Sequence, residues 1–425
     1  MNKVELKGLK EHLYLHEFSN GLRLCVWENN HLHNNYAAIN VNYGSKYYRY
    51  KKGNKVITDK TGIAHFLEHV MFQIDKNTNA SDIFAKLSSF DNAYTDLSNT
   101  CYHITYQDNH QDNLKALIKM VLTPYFTDEL VEKEKGIIIE EKRRSLSDPY
   151  RTLYYETVRS LYHNANYRES TLGSMEDIKS ITKEDLLAVY HEFYNLHNMQ
   201  LIVCGNCNHE EIFNIVDKLI KDYPNVPYTK KKHYYPKEPI TVCKKHNIIE
   251  GPVNIPKIKL VYKIPLSNFK GINKREIDKL VSVILKANFS ATSDFREKIF
   301  SQELVSMFHV SGYRDDDFLI ITFSMESNQY EKVIKMIKYR LKHLTVTKED
   351  FASKTHSMLA NAITCFENAE AVGDGIVADF ARHNKIKPND VYNTYKIGDK
   401  KIPAVIKALN FDNYTLNVLI PQKKQ

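Results

Sequence analysis

No stretch of this 425-residue chain is apolar and long enough to span a bilayer. The first residues, MNKVELKGLKEHL, are charged and lack the apolar centre of a secretory signal, so the chain reads as cytoplasmic. Cysteine is scarce: Cys25, Cys101, Cys204, Cys207, Cys243 and Cys365 are the full set, and only Cys204 and Cys207 form a C-x-x-C pair. One pair cannot supply four thiolates to a structural zinc, and a redox role calls for a thioredoxin-like βαβ setting. Scattered cysteines suit a reducing compartment. The net charge of +8 has no single focus; its densest run is Lys230-Lys231-Lys232-His233. No nucleic-acid module accompanies it, so no nucleic-acid partner is expected, while a general attraction to acidic peptides or an anionic surface is allowed. With 43% hydrophobic residues the chain can bury a sizeable core, and its length fits two or three domains.

The densest chemistry lies in Thr61–Ile74, TGIAHFLEHVMFQI. Ile63, Phe66, Leu67, Val70, Met71 and Ile74 follow the i, i+3, i+4 pattern of a buried helical stripe, with Thr61 as N-cap. His65 and His69 are one turn apart on a neighbouring face, where both imidazoles can point at one ion. Glu68 sits beside them, close enough to handle a proton of the attacking water. Two histidines suit Zn²⁺, which needs a third protein ligand and keeps a fourth position open. The order H-x-x-E-H is that of the inverted zinc-protease motif.

The third ligand is sought in the acidic helix Phe126–Arg144, FTDELVEKEKGIIIEEKRR. Such a face is commonly only solvated, but Glu134 and Glu141 lie seven residues apart and share one side.

Along the chain, Leu22–Glu28 and Tyr36–Tyr43 read as antiparallel strands, residues 44–60 as a basic loop, and Tyr94–Tyr106 as two strands around a turn. Helices are expected at Ala80–Leu87, Asn113–Val121, Thr127–Arg144, Arg151–Tyr162, Lys183–Phe193 and Glu210–Lys221, with a strand at Met199–Cys204. This order gives an α+β layer architecture. Residues 224–240 hold four prolines and the basic run, and read as a linker between domains at 1–223 and 241–425. The second half repeats the plan: Leu260–Lys263 stands for an inner strand, Arg275–Ala287 for the H-x-x-E-H helix, and Tyr414–Ile420 for Met199–Cys204. Thr347–Cys365 aligns with Thr127 onward at an offset of 220, which puts Lys354 opposite Glu134 and Asn361 opposite Glu141. Only the first copy can hold a metal.

These motifs resemble the insulinase-type M16 zinc peptidases. The family's distal E-K-G-x-x-x-x-E segment, laid on Glu134–Glu141, makes Glu141 the third ligand, 72 positions after His69 (141 − 69), and Glu134 a nearby supporting carboxylate. Asn92-Ala93-Tyr94-Thr95 matches the N-A-x-T edge strand that pairs with substrate backbone. Leu172-Gly173-Ser174 and Tyr194–Gly205 match further family patterns, so the likeness runs from about Gly21 to Gly205. The resemblance, nearest to the short bacterial members akin to mitochondrial processing peptidase, implies two domains of the LuxS/MPP-like metallohydrolase fold and one zinc per chain. It also implies peptide hydrolysis with Glu68 as general base. A dimer is implied too, possible with itself or with a homologous motif-less M16 subunit, and favoured with the latter. One departure is evident: Phe295–Phe308, FREKIFSQELVSMF, has Arg296 at a shifted offset and lacks the family's downstream Arg and Tyr. The competing class is a non-catalytic structural subunit; a redox protein built on Cys204 and Cys207 is a third.

Overall fold

The computed structural model describes residues 1–6, 9–315, 317–383 and 398–422. The first half runs β1 (Asn2–Leu6), β2 (Glu11–Glu17), β3 (Arg23–Glu28), β4 (Asn35–Val41), β5 (Arg49–Lys52), β6 (Lys55–Thr58), α1 (Ile63–Val70), β7 (Gln73–Asp75), β8 (Thr78–Asn79), α2 (Ala80–Lys86), β9 (Phe90–Thr95) and β10 (Thr100–Tyr106). It continues through α3 (His110–Leu122), α4 (Asp128–Ser147), α5 (Pro149–Leu161), α6 (Met175–Ser180), α7 (Lys183–Phe193), β11 (Met199–Gly205), α8 (His209–Ile220) and β12 (Lys232–His233). The second half runs β13 (His246–Gly251), β14 (Lys257–Pro265), α9 (Lys274–Phe289), α10 (Asp294–Ser301), β15 (Met307–Asp315), β16 (Phe318–Glu326), α11 (Tyr330–Lys342), α12 (Lys348–Thr364), α13 (Ala369–His383), α14 (Ile402–Ala408) and β17 (Tyr414–Pro421).

Two compact units result, and neither is contiguous in sequence. The first gathers residues 1–142, 169–235 and the stretch 361–383; the second gathers 143–168, 236–360 and 398–422. The contiguous division at 1–223, 224–240 and 241–425 differs from these units for a physical reason. The large sheet of each unit is apolar on both faces, and its second face is covered by a helix taken from elsewhere along the chain.

In the first unit the sheet order is β1-β2-β3-β11-β4-β10-β9. Leu24, Val26, Ile39, Val41, Leu201 and Val203 point to one side, where Phe66, Leu67 and Val70 of α1 close the main core. Trp27, Ala38, Ile202 and Cys204 point to the other, under Val372, Ile376, Val377 and Phe380 of α13. All seven residues of β11 are buried as a consequence. The strands β3 and β4 do run antiparallel, but β11 lies between them, parallel to β3 and antiparallel to β4.

In the second unit the order is β13-β17-β14-β16-β15, which reproduces β3-β11-β4-β10-β9 strand for strand, including the single parallel pair. Leu280, Val281 and Ile284 of α9 pack on one face with Leu260 and Phe323. Val158 and Leu161 of α5, with Tyr162 at its C-cap, cover Val261 and Ile320 on the other. The α+β, two-copy architecture is therefore as the sequence implies.

Two segments read as irregular are ordered. Residues 44–60 contain the hairpin β5–β6, and the 224–240 linker supplies β12, which pairs with β5. The same linker carries Glu238, buried in the second unit. No helix among the described residues is long and apolar enough to cross a membrane.

Candidate metal centre

Helix α1 begins one residue later than its sequence pattern suggests and ends at Val70, so Ile74 falls in β7. Its N-cap is Gly62 at φ 83°, not Thr61. A Cβ on Gly62 would stand 2.3 Å from the Leu172 carbonyl oxygen, and one on Gly173, at φ 82°, 2.3 Å from the Thr61 carbonyl oxygen. Only two glycines allow this approach of backbones. Thr61 acts as a tie: its hydroxyl donates to Asp177 and accepts from the Ser174 amide at 2.9 Å. The Leu172-Gly173-Ser174 segment thus fixes where α1 starts.

From that anchored helix His65 and His69 reach Glu141 and Glu134 on α4, and Glu68 meets Thr95 of β9. The imidazole rings of His65 and His69 are 4.7 Å apart. Nε2 of each lies 3.6 Å from Glu141 Oε2, and one donor atom from each of the three residues falls within 4.8 Å of the others. Donors held about 2.0–2.1 Å from a tetrahedral zinc stand roughly 3.3 Å apart, so these separations fit such an ion with little adjustment. Two imidazoles and one carboxylate also leave a fourth position open.

On α4 the two carboxylates differ. Glu134 is buried and its Oε2 sits 3.3 Å from His69 Nδ1, leaving Nε2 for the triad. Glu140, next to Glu141 in sequence, is exposed. Burial alone would lower the His69 imidazolium pKa, but hydrogen bonds to Glu134 and Glu141 and the Glu68 charge outweigh it and raise it to about 9. The surrounding carboxylates favour positive charge at this ring. Burial pushes the Glu68 carboxyl up, and a hydrogen bond from Thr95 Oγ1 at 2.6 Å partly offsets that.

Strand β9 lies at the end of its sheet, so one side of its backbone is unpaired within that sheet. Its register divides the four residues singled out there. Ala93 pairs with Tyr102 and Thr95 with Thr100, on the α1 side; Asn92 pairs with His103 and Tyr94 with Cys101, on the α13 side. Thr95 is thus brought to the cluster through Glu68, Ala93 lies on the same face of the strand, and the side chains of Asn92 and Tyr94 are on the other. The tie through Asp177 was not foreseen, although the S-x-x-D spacing of Ser174 and Asp177, a helix-cap signature, marks its start.

Other singled-out residues lie elsewhere. All six cysteines are free, and burial pushes the Cys204 thiol up and that of Cys207 to about 12, so neither is poised as a redox thiolate. Arg296 Nη1 donates to the Phe308 carbonyl at 2.7 Å within the second unit.

Residues 28–175 match the model of Insulinase (Peptidase family M16), and residues 180–356 that of the Peptidase M16 inactive domain. The chain is 32% identical over 321 residues to a zinc protease of Bacillus subtilis, YmfH, covering 74% of this chain and 72% of that one. It is 23% identical to a zinc protease of Rickettsia felis across 97% and 98% of the two chains. An M16-like peptidase structure from Alicyclobacillus acidocaldarius superposes with a TM-score of 0.90 at 24% identity, over 99% of this chain and 100% of that one.

Proposed function

Because this chain belongs to peptidase family M16, we propose that it is a zinc-dependent endopeptidase acting on peptides or precursor and leader peptides. The observation that carries the reading is the convergence of His65, His69 and Glu141 beside Glu68, which the edge strand β9 holds through Thr95.

His65, His69 and Glu141 would hold one zinc ion. When bound there, zinc supplies Lewis acidity to a carbonyl and acidity to water. Glu68 takes the proton of the attacking water and passes it to the leaving amine. Glu134 keeps the His69 ring oriented through Nδ1 and adds negative charge around the triad. Strand β9 takes the substrate as an added strand, so backbone shape sets much of the binding. Ala93 and Thr95 then face the chemistry, while Asn92 and Tyr94 support the strand from behind.

A second reading is a partner-dependent subunit. Residues 180–356 match a model described as inactive, and α12 carries Lys354 and Asn361, which the sequence register at an offset of 220 sets opposite Glu134 and Glu141. The family second half's Arg and Tyr are missing from Phe295–Phe308 as well, which favours a dimer with a homologous motif-less chain that supplies them. The proposed placement is cytoplasmic, in keeping with six free thiols.

Zinc content and cleavage of a quenched peptide library, measured on the chain alone and with candidate homologous partners, test both readings. One zinc per chain with cleavage supports the enzyme. Zinc without cleavage, in every combination, overturns it. Light scattering after size exclusion gives the assembly, and a fully active monomer rules out the dimer.

A further inference from the structure

The first unit contains a second place where charge is concentrated. The small sheet β12-β5-β6 pairs Lys51 with Lys232 and Lys52 with Lys55. Like charges directly opposite one another across strands are destabilising. Both pairings in this sheet carry that penalty.

Beside the sheet is an open cavity of about 690 Å³. Lys51, Lys52, Lys230, Lys231 and Lys232 line it, and Glu192 is its one carboxylate. Glu192 is shared: Oε2 lies 2.6 Å from Lys52 Nζ and Oε1 2.7 Å from Lys231 Nζ. Among the described residues, Lys51, Lys230 and Lys232 have no carboxylate partner. Five lysines against one glutamate leave four positive charges around one concavity.

We propose that this cavity docks an acidic stretch of a peptide substrate, an inference that rests on the peptidase reading above. The site is concave, which suits a chain segment rather than the plane of a membrane. Tyr228 in its lining, and Tyr234 just beyond β12, are already engaged: the Lys231 ammonium lies 4.7 Å from the Tyr228 ring centre and Lys51 4.9 Å from that of Tyr234. Those ring faces do not serve the base stacking that single-stranded nucleic acids use. Lysines are flexible point charges, adapted to several carboxylates at varied spacing, whereas bidentate capture of one phosphate is the work of arginine. The strand β6 ends five residues before α1 begins, so the hairpin and the metal-site helix are joined by a short, anchored link. An acidic segment held here would raise the local concentration of substrate near the centre.

The test uses the full chain and two fluorescein-labelled peptides that differ only in a block of glutamates replaced by glutamines. Fluorescence anisotropy should show the glutamate peptide binding about tenfold tighter or more, with the advantage lost in high salt. The triple variant Lys51→Gln, Lys230→Gln, Lys232→Gln spares the Glu192 pairs and should abolish the preference; the triple Lys→Arg variant should keep it. Equal affinity for the two peptides, or a preference that survives the glutamine variant, overturns the site. So does displacement of the peptide by single-stranded DNA at lower concentration than by unlabelled acidic peptide. Hydrolysis is scored separately. Cleavage of the glutamine peptide without any charge preference removes the docking site and leaves the peptidase. A charge preference in a chain that cleaves nothing leaves an acidic-peptide site and removes its role in proteolysis.

Discussion

Thr95 Oγ1 donates to Glu68 Oε2 at 2.6 Å, tying the edge strand β9 to the helix that carries both histidines. The carboxylate is therefore held from the side on which a substrate strand would lie. Glu68→Gln should keep zinc and lose at least about a hundredfold in kcat, because the proposed role is proton transfer and not ligation. Thr95→Val, which removes the hydroxyl but keeps the shape, should keep zinc and lower kcat less than Glu68→Gln does. Turnover at the wild-type level in Glu68→Gln would end the mechanism.

Helix geometry separates Glu140 from Glu141. Neighbouring positions point about 100° apart, and only Glu141 approaches both imidazoles. Glu141→Gln should lose zinc and Glu140→Gln should retain it, read by metal analysis of the purified variants. The reverse result would put the ligand one residue away.

How far the sequence carries these positions varies with the kind of signal. The spacing of His65 and His69 marks a shared helix face by itself, because i, i+4 neighbours meet on any helix. Glu141 needed the family pattern, since five glutamates on α4 fit a solvated face equally well. The hairpin β5–β6 was hidden because lysines occupy alternating and non-alternating positions alike, which erases the two-residue period. Least legible was the exchange of α5 and α13. Val158 and Leu161, or Val372 and Ile376, announce an apolar face, but nothing local says which sheet it covers.

Buried charge gives a stability prediction in the second unit. Lys263 and Glu238 are 0% and 5% exposed at the side chain and 2.7 Å apart. Glu238 also accepts the His163 and Asn164 amides at 2.8 Å each, and Lys263 donates to the Pro239 carbonyl at 2.8 Å. Lys263→Met strands a buried carboxylate and should destabilise the chain by about 3–5 kcal/mol. Lys263→Met with Glu238→Gln should recover part of that loss. Denaturant midpoints that do not move in Lys263→Met would show the pair to be dispensable.

His103 supplies the pH dependence. It is buried on β10 beneath α13, its ring 5.4 Å from that of Tyr36 and 6.1 Å from that of Tyr94, and Tyr36 donates to Asp374 at 2.9 Å. Burial lowers its pKa below the ordinary 6.5, and the opposing pull of Asp374, Glu370 and Asp91 does not restore it. The folded chain therefore prefers the neutral ring. As pH falls through 6.5 the unfolded chain takes up the proton first, so the stability contributed by the neutral ring is complete above that pH and is lost toward the lower folded pKa. His103→Gln removes this titration. Its denaturant midpoint should change less than that of the wild type between about pH 7.5 and pH 5.5, while keeping zinc binding unchanged. A variant whose midpoint falls as steeply as the wild type's would assign the acid sensitivity to other groups.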